Sequence, residues 1–171
     1  NIERAHHDII GRSEAIQGII KQIELVGPTD TNVLIRGESG VGKSLVASAV
    51  HDESSRKRRP MIHLKAGAVN PENIESELFG QVRGAFAGAL KDRPGKLELA
   101  HGGTLFIDEV ADIPWEVQGH LLDALQKREV VRLGDDRARS LDLRIIASTT
   151  RDIDREVQAG RLRQDLMLHL G

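Results

Sequence analysis

The strongest constraint on the fold is an eight-residue string, Gly37-Glu38-Ser39-Gly40-Val41-Gly42-Lys43-Ser44, placed between a β-favouring run, Val33-Leu34-Ile35, and a helix-like stretch from Lys43 to Val50. Strand, glycine-rich loop and helix in that order make a cradle for anions. The glycines let consecutive backbone N–H groups turn inward, and the following helix points its N-terminus at the same spot. The string matches the Walker A pattern, in which the lysine neutralises the β- and γ-phosphates of a nucleotide and the hydroxyl ligates magnesium. Average composition would produce it by chance in about one chain in a hundred. The residues expected to contact nucleotide are therefore Gly37, Glu38, Ser39, Gly40, Val41, Gly42, Lys43, Ser44 and Leu45, with Ser44 on the metal.

A second acidic element completes this chemistry. Thr104-Leu105-Phe106-Ile107 is a continuous apolar run that ends in Asp108-Glu109, and open α/β sheets carry their ligand chemistry at the carboxyl ends of strands. Asp108 is expected to hold Mg²⁺ through water, and Glu109 to activate the water that attacks the γ-phosphate. An acidic pair after a strand is ordinarily a turn or helix cap. Its place downstream of the glycine loop gives it meaning.

The rest of the chain repeats the alternation of strand and helix. Ser13 is placed to cap a helix whose apolar face is Ile16, Ile19, Ile20 and Ile23, ended by Gly27-Pro28. Met61 to Leu64 reads as a strand, Pro71 opens a helix reaching Phe79, and Trp115 to Lys127 carries helical spacing at Val117, Leu121, Leu122 and Leu125. Val130 to Leu133, the turn Gly134-Asp135-Asp136, and Leu141 to Ser148 read as a hairpin leading into a buried strand. Helices are expected near Asp152 to Ala159 and Arg163 to Leu170. Apolar strands alternating with helices predict an α/β fold, a three-layer sandwich around a central parallel sheet.

Composition narrows the function classes. The chain has 171 residues, 39% apolar and 29% charged, a size suited to one domain. No apolar run is long enough to span a bilayer, and the first residues lack the order of a signal peptide, so a cytoplasmic location without membrane contact is expected. The absence of Cys removes thiol nucleophiles and thiolate metal sites. A net charge of −2, three Phe, one Trp and no Tyr offer neither a general pull on nucleic acid nor a stacking platform. Contact with DNA is expected through a separate domain. The basic cluster Arg56-Lys57-Arg58-Arg59 reads as a solvated loop, no zinc spacing is present, and no metal beyond Mg²⁺ is predicted.

Several strings together, Ile10-Gly11-Arg12-Ser13, Gly37 to Ser44, Glu75-Ser76-Glu77-Leu78-Phe79-Gly80, Gly84 to Ala89, Gly102 to Glu109 and Gly160 to Leu170, carry a specific resemblance. The chain is similar to the central AAA+ domain of bacterial enhancer-binding proteins, the sigma-54-dependent transcriptional activators. The resemblance covers nearly the whole chain and implies a P-loop NTPase (AAA+) α/β subdomain over residues 1–171, without the family's helical lid and cut from a longer, signal-responsive regulator. It further implies a ring, usually hexameric, with ATP between subunits and its energy spent on RNA polymerase carrying the sigma factor. The adenine end is expected near Ile9, Ile10 and Gly11. Arg163 occupies the position of the arginine that reaches a neighbour's γ-phosphate, an effect worth about 10³-fold or more in comparable systems. Gly84, Ala85, Phe86, Ala87, Gly88 and Ala89 match the loop that grips sigma-54.

The chain departs from the family pattern at several of these positions. Ala87 stands where a threonine is expected, which removes a hydroxyl from the partner loop and weighs against sigma-54 as the partner. Lys65 replaces the asparagine that holds the catalytic glutamate, and is expected to pair with Glu109 and lower its basicity. Thr150 replaces the asparagine that senses the γ-phosphate, and His169 replaces a second arginine. Two readings follow. The first is an ATPase module with Lys43, Asp108, Glu109 and Thr150 acting in cis and Arg163 in trans, its hydrolysis slow. The alternative is a nucleotide-binding regulator with weak or no ATPase activity, acting by oligomerisation on a polymerase other than the sigma-54 form. A small-molecule P-loop kinase is a distant third, since nothing resembles its lid or acceptor site.

Overall fold

The computed structural model describes residues 14–37 and 41–171. Four strands form a parallel sheet: β1 (Val33–Arg36), β2 (Met61–Lys65), β5 (Thr104–Asp108) and β8 (Arg144–Thr149). Their spatial order is β1-β8-β5-β2, so β8, last in sequence, lies between β1 and β5. Two short antiparallel ribbons stand apart, β3 (Gly80–Gln81) with β4 (Arg93–Pro94), and β6 (Glu129–Val131) with β7 (Ala138–Ser140). The helices are α1 (Glu14–Val26), α2 (Val41–Asp52), α3 (Ile74–Phe79), α4 (Lys96–Leu99), α5 (Trp115–Lys127), α6 (Ile153–Gln158) and α7 (Gln164–Leu170).

Because side chains alternate along a strand, a sheet covered on both faces needs apolar residues at every position. Leu105, Ile107, Ile145, Ala147 and Leu64 point into one core, with Val117, Leu121, Leu166 and Leu170 of the helices on that side. Phe106 and Ile146 point the other way, onto Ile23, Ala47, Ala49 and Val50 of α1 and α2. This is the three-layer sandwich that the alternating pattern predicts. On α1, Ile23 is 2% exposed but Ile19 is 37% exposed, so the expected inward face narrows to Ile23 with Val26 beside it. Ser13 and the side chain of Ile16 lie outside the described residues.

An unexpected buried cation ties α1 to the sheet. Arg144, at the start of β8, is fully buried and donates to the carbonyls of Thr31, Gly27 and Val26 at 2.8, 2.9 and 2.8 Å. The carbonyls at a helix C-terminus carry partial negative charge, so they satisfy a guanidinium where no carboxylate is buried beside it. Desolvation lowers the Arg144 pKa, and the charge of Asp30 opposes that effect. Among the described residues no helix is long and apolar enough to cross a membrane.

Candidate functional site

Three neighbouring strands end together. Register pairs Arg36 with Thr149 and Ile107 with Ala147, which puts the loop after β1, the Ser148-Thr149-Thr150 segment and Asp108-Glu109 side by side along the carboxyl edge of the sheet. Hydrogen bonds stitch this edge. Gly37 N donates to Thr149 O at 3.3 Å, Ser148 Oγ donates to Asp108 Oδ1 at 3.1 Å, and Glu109 N donates to Ser148 Oγ at 3.2 Å. Ser148 is fully buried near the carboxyl end of β8, and it is the joint that sequence reasoning missed. A hydroxyl directly after the apolar run Ile145-Ile146-Ala147 was its one signal.

The glycine loop enters this edge from β1. Gly37 has φ 151°, a conformation that excludes most side chains, and open space where a Cβ would stand. Lys43 lies in the first turn of α2, 8% exposed, and its ammonium donates back across the loop to Gly37 O. Gly42 also faces open space, and Ser44 and Leu45 follow, half-buried, in the same helix. Glu38, Ser39 and Gly40, the side chain of Val41, and Ile9, Ile10 and Gly11 lie outside the described residues.

Glu109 is held in an unusual way. Its backbone is left-handed at φ 61°, a costly state for a non-glycine residue that marks a position fixed by its surroundings. Its Oε1 accepts from Thr150 Oγ1 at 2.6 Å and from Thr150 N at 3.0 Å. Oε2 is buried and has no hydrogen bond of normal geometry among the described residues. Burial alone would raise this carboxyl's pKa. The Thr150 hydroxyl, with smaller help from Thr149 and the amides of Thr150 and Ala111, more than offsets it, so the net shift is downward.

This arrangement corrects the expectation for Lys65. Lys65 sits at the end of β2 in register with Asp108, yet it is exposed, and among the described residues it forms no ion pair with Glu109. Strands β2 and β8 flank β5 on either side, and the Glu109 carboxylate turns to the β8 side, where Thr150 donates to it, rather than to exposed Lys65 on the β2 side. Asp108 Oδ2 instead faces His63 Nε2 of β2 at 3.7 Å, and the His63 ring stacks on Phe106 at 4.8 Å.

Two further predicted elements lie away from this edge. Gly84 to Ala89 forms the tip joining β3 to β4, closed by Gly84 N to Ala89 O at 2.9 Å, with Phe86 44% and Leu90 83% exposed. Gly84 and Gly88 have φ of 83° and 95°. The segment is a tied turn presenting apolar side chains. Arg163 directly precedes α7, and its side chain forms a bidentate pair with Asp165 at 3.1 and 3.0 Å. That carboxylate raises the arginine's pKa, and the guanidinium's hydrogen bonds lower the carboxylate's.

The residues at this edge suit a phosphate and a hard cation. A loop with glycine at a left-handed φ, an inward ammonium, a carboxylate at an adjacent strand end and an orphaned carboxylate oxygen are the groups such chemistry needs. Among the described residues no cluster of three or more His, Cys, Asp or Glu side chains is assembled for a metal. Magnesium needs no such cluster, since it keeps several waters and takes one or two protein oxygens plus phosphate.

A family model described as the Sigma-54 interaction domain matches residues 9–171. The chain belongs to that family. Curated members include the transcriptional regulatory protein ZraR of Klebsiella oxytoca, 50% identical over 166 residues, and the regulatory protein LuxO of Vibrio cholerae, 49% identical over 160 residues. These alignments take in 97% and 93% of this chain but 38% and 30% of those proteins, so the chain spans about a third of their length. NtrX from Brucella abortus, solved in complex with ADP, superposes with a TM-score of 0.87 at 38% identity, over 99% of this chain and 36% of that one. The P-loop NTPase domain of an Escherichia coli sigma-54 activator shares the fold, with a TM-score of 0.62 at 19% identity, over 94% of this chain and 92% of that one. The AAA+ architecture and the sigma-54 activator kinship expected from the sequence are thereby established.

Proposed function

We propose that this domain binds ATP with Mg²⁺ and hydrolyses it slowly, as the ring-forming module of a bacterial transcriptional regulator acting on RNA polymerase of the sigma-54 type. The observation that carries this reading is the convergence of Lys43, Asp108 and Glu109 at one sheet edge, joined through Ser148 and Thr149. Lys43 and the loop amides bind the phosphates, and Ser44 with Asp108 holds the ion. The bound metal supplies charge neutralisation on the phosphate oxygens. Glu109 positions and deprotonates the attacking water, and Arg163 of one subunit serves the nucleotide of the next. Membership of the family supports the ring, the NtrX complex supports the nucleotide, and Phe86 and Leu90 at an exposed loop tip support a protein partner.

The Thr150 contacts support slow turnover. A carboxylate that accepts two hydrogen bonds on one oxygen is a weaker base, and its motion toward water breaks both. We therefore assign Thr150 to restraint of Glu109 rather than to contact with phosphate. This same feature favours, as a second reading, a regulator whose nucleotide binding sets its assembly with little hydrolysis.

Titration of the full-length protein with labelled ATP and Mg²⁺, with turnover followed against protein concentration, tests both. Saturable binding lost in Lys43→Ala, and a rate per subunit that climbs with concentration, are expected. Binding indifferent to Lys43→Ala refutes the site, and a concentration-independent rate refutes the ring. Sigma-54 capture by the native protein, compared with Ala87→Thr, tests the partner: stronger capture by the variant marks Ala87 as a weakening departure, and capture by neither rejects sigma-54.

A further inference from the structure

The indole of Trp115 opens α5, and the Arg163 guanidinium lies over it, 5.1 Å from carbon to ring centroid. One turn along the same face, Gly119 has no side chain, and a Cβ there would stand 3.0 Å from Arg163 Nη1. Residues four apart share a helix face. Trp115 and Gly119 thus make a raised edge and a hollow, and the arginine fills the hollow. A glycine inside a helix is destabilising by about 1 kcal/mol against alanine, and here its missing methyl leaves room for the guanidinium.

The backbone is fixed to the same helix. Gln118, fully buried, donates to Ile113 O at 2.7 Å and to Arg161 O at 2.8 Å, and accepts from Arg163 N at 2.8 Å. Glu156, 6% exposed, pairs with Arg151 and Arg161 on the other side of the turn. The side chain is therefore held as well as its root. Nε and Nη2 face Asp165, Nη1 faces Gly119, and the flat face lies on the indole. Both edges of the fork that would bind a phosphate are turned in on its own subunit.

We propose that Trp115, Gly119 and Asp165 form a seat that parks Arg163 in cis, so that a neighbouring subunit's nucleotide draws the arginine only in competition with it. Trp115 is then a positioning residue that tunes hydrolysis in the assembled ring without touching nucleotide. This rests on the reading of Arg163 as acting in trans. Trp115 is 45% exposed, so leucine or phenylalanine there keeps the apolar cover and leaves the core intact.

The test uses the full-length protein in two states. In dilute, unassembled protein, acrylamide quenching of Trp115 is read as the difference between native protein and Trp115→Phe, with and without Arg163→Ala. Removing the arginine uncovers one ring face and is expected to raise the quenching constant about twofold. In assembled protein at saturating ATP and Mg²⁺, Trp115→Leu is expected to raise turnover about two- to fivefold, the factor for one exposed cation–π contact. Trp115→Phe, which keeps an aromatic face, should stay within about twofold of native. Unchanged quenching in Arg163→Ala, or turnover in Trp115→Leu at or below native while Arg163→Ala still abolishes hydrolysis, overturns the seat and leaves the trans role standing. Full turnover in assembled Arg163→Ala overturns the trans role itself, and the function of the seat with it.

Discussion

Replacing Thr150 with valine isolates the contact that governs Glu109. Valine keeps the β-branch and the backbone amide, whose 3.0 Å bond to Oε1 survives, and deletes the hydroxyl that donates at 2.6 Å. A hydrogen bond to a charged acceptor contributes about 1.5–3 kcal/mol, and the exposure of Thr150 puts this one at the low end, about 1.5 kcal/mol. That free energy corresponds to about one pK unit. Because the bond stabilises the carboxylate, its loss raises the pKa, and the acid limb of kcat should move up by about one pH unit. A more basic and less tethered Glu109 should raise kcat near neutrality about three- to tenfold. Thr150→Ser, which restores the hydroxyl, should return both quantities to native. Steady-state phosphate release from about pH 4 to 8 in assembled protein measures them. An acid limb that stays in place, with kcat lowered, would refute the restraint and give the hydroxyl a direct part in catalysis.

Other outcomes follow from the scaffold. Arg144→Ala leaves three carbonyls, that of Gly27 buried and two part-buried, without their donor and empties a large buried site, and should destabilise the domain by about 3–5 kcal/mol, read as a lower urea midpoint; a loss under about 1 kcal/mol would show that water replaces the cation. Gly80→Ala forces a Cβ to 2.4 Å from Arg93 O at φ 78°, and should cost about 3 kcal/mol or more and expose the β3–β4 ribbon to limited proteolysis, whereas a native digestion pattern would contradict the packing. The carboxyl of Asp30, paired with Arg56, and that of Glu109 both titrate below their ordinary range in the fold. As pH falls the unfolded chain takes up protons first, so their contribution is whole above about pH 4 and is lost below it. Denaturation midpoints should therefore be level at mild pH and fall on further acidification; a rise would reverse the assignment.

The parts of this site set by local rules were legible in the sequence. Gly37 to Ser44 announces its loop because glycine, lysine and serine at that spacing serve few other purposes, and Asp108-Glu109 stands out because an apolar run ends in paired charge. What depends on the spatial order of strands was hidden. Lys65 was the expected partner of Glu109 and Thr150 was read as a phosphate sensor; both flanking strands end beside Glu109, and only the direction its side chain takes gives the carboxylate to Thr150. Gln118 carries no local signal, because two of its three hydrogen bonds reach a turn more than forty residues away. Ile19 misled for the opposite reason. Periodicity says which residues share a face, but not how much of that face the sheet is wide enough to cover.

Helix α5 joins two distant places in the domain. Its first turn supports Arg163, and beyond its last turn the chain reaches Leu133, whose N donates to Gly80 O and whose O accepts from Val82 N, while Gly134 presses against Ala85 at the root of the Phe86 turn. Thirteen residues of helix make a rod of about 20 Å. A tilt of about 5° at one end of such a rod would swing the other by roughly 2 Å, so the seat of Arg163 and the root of the apolar tip stand on one stiff element and share its orientation.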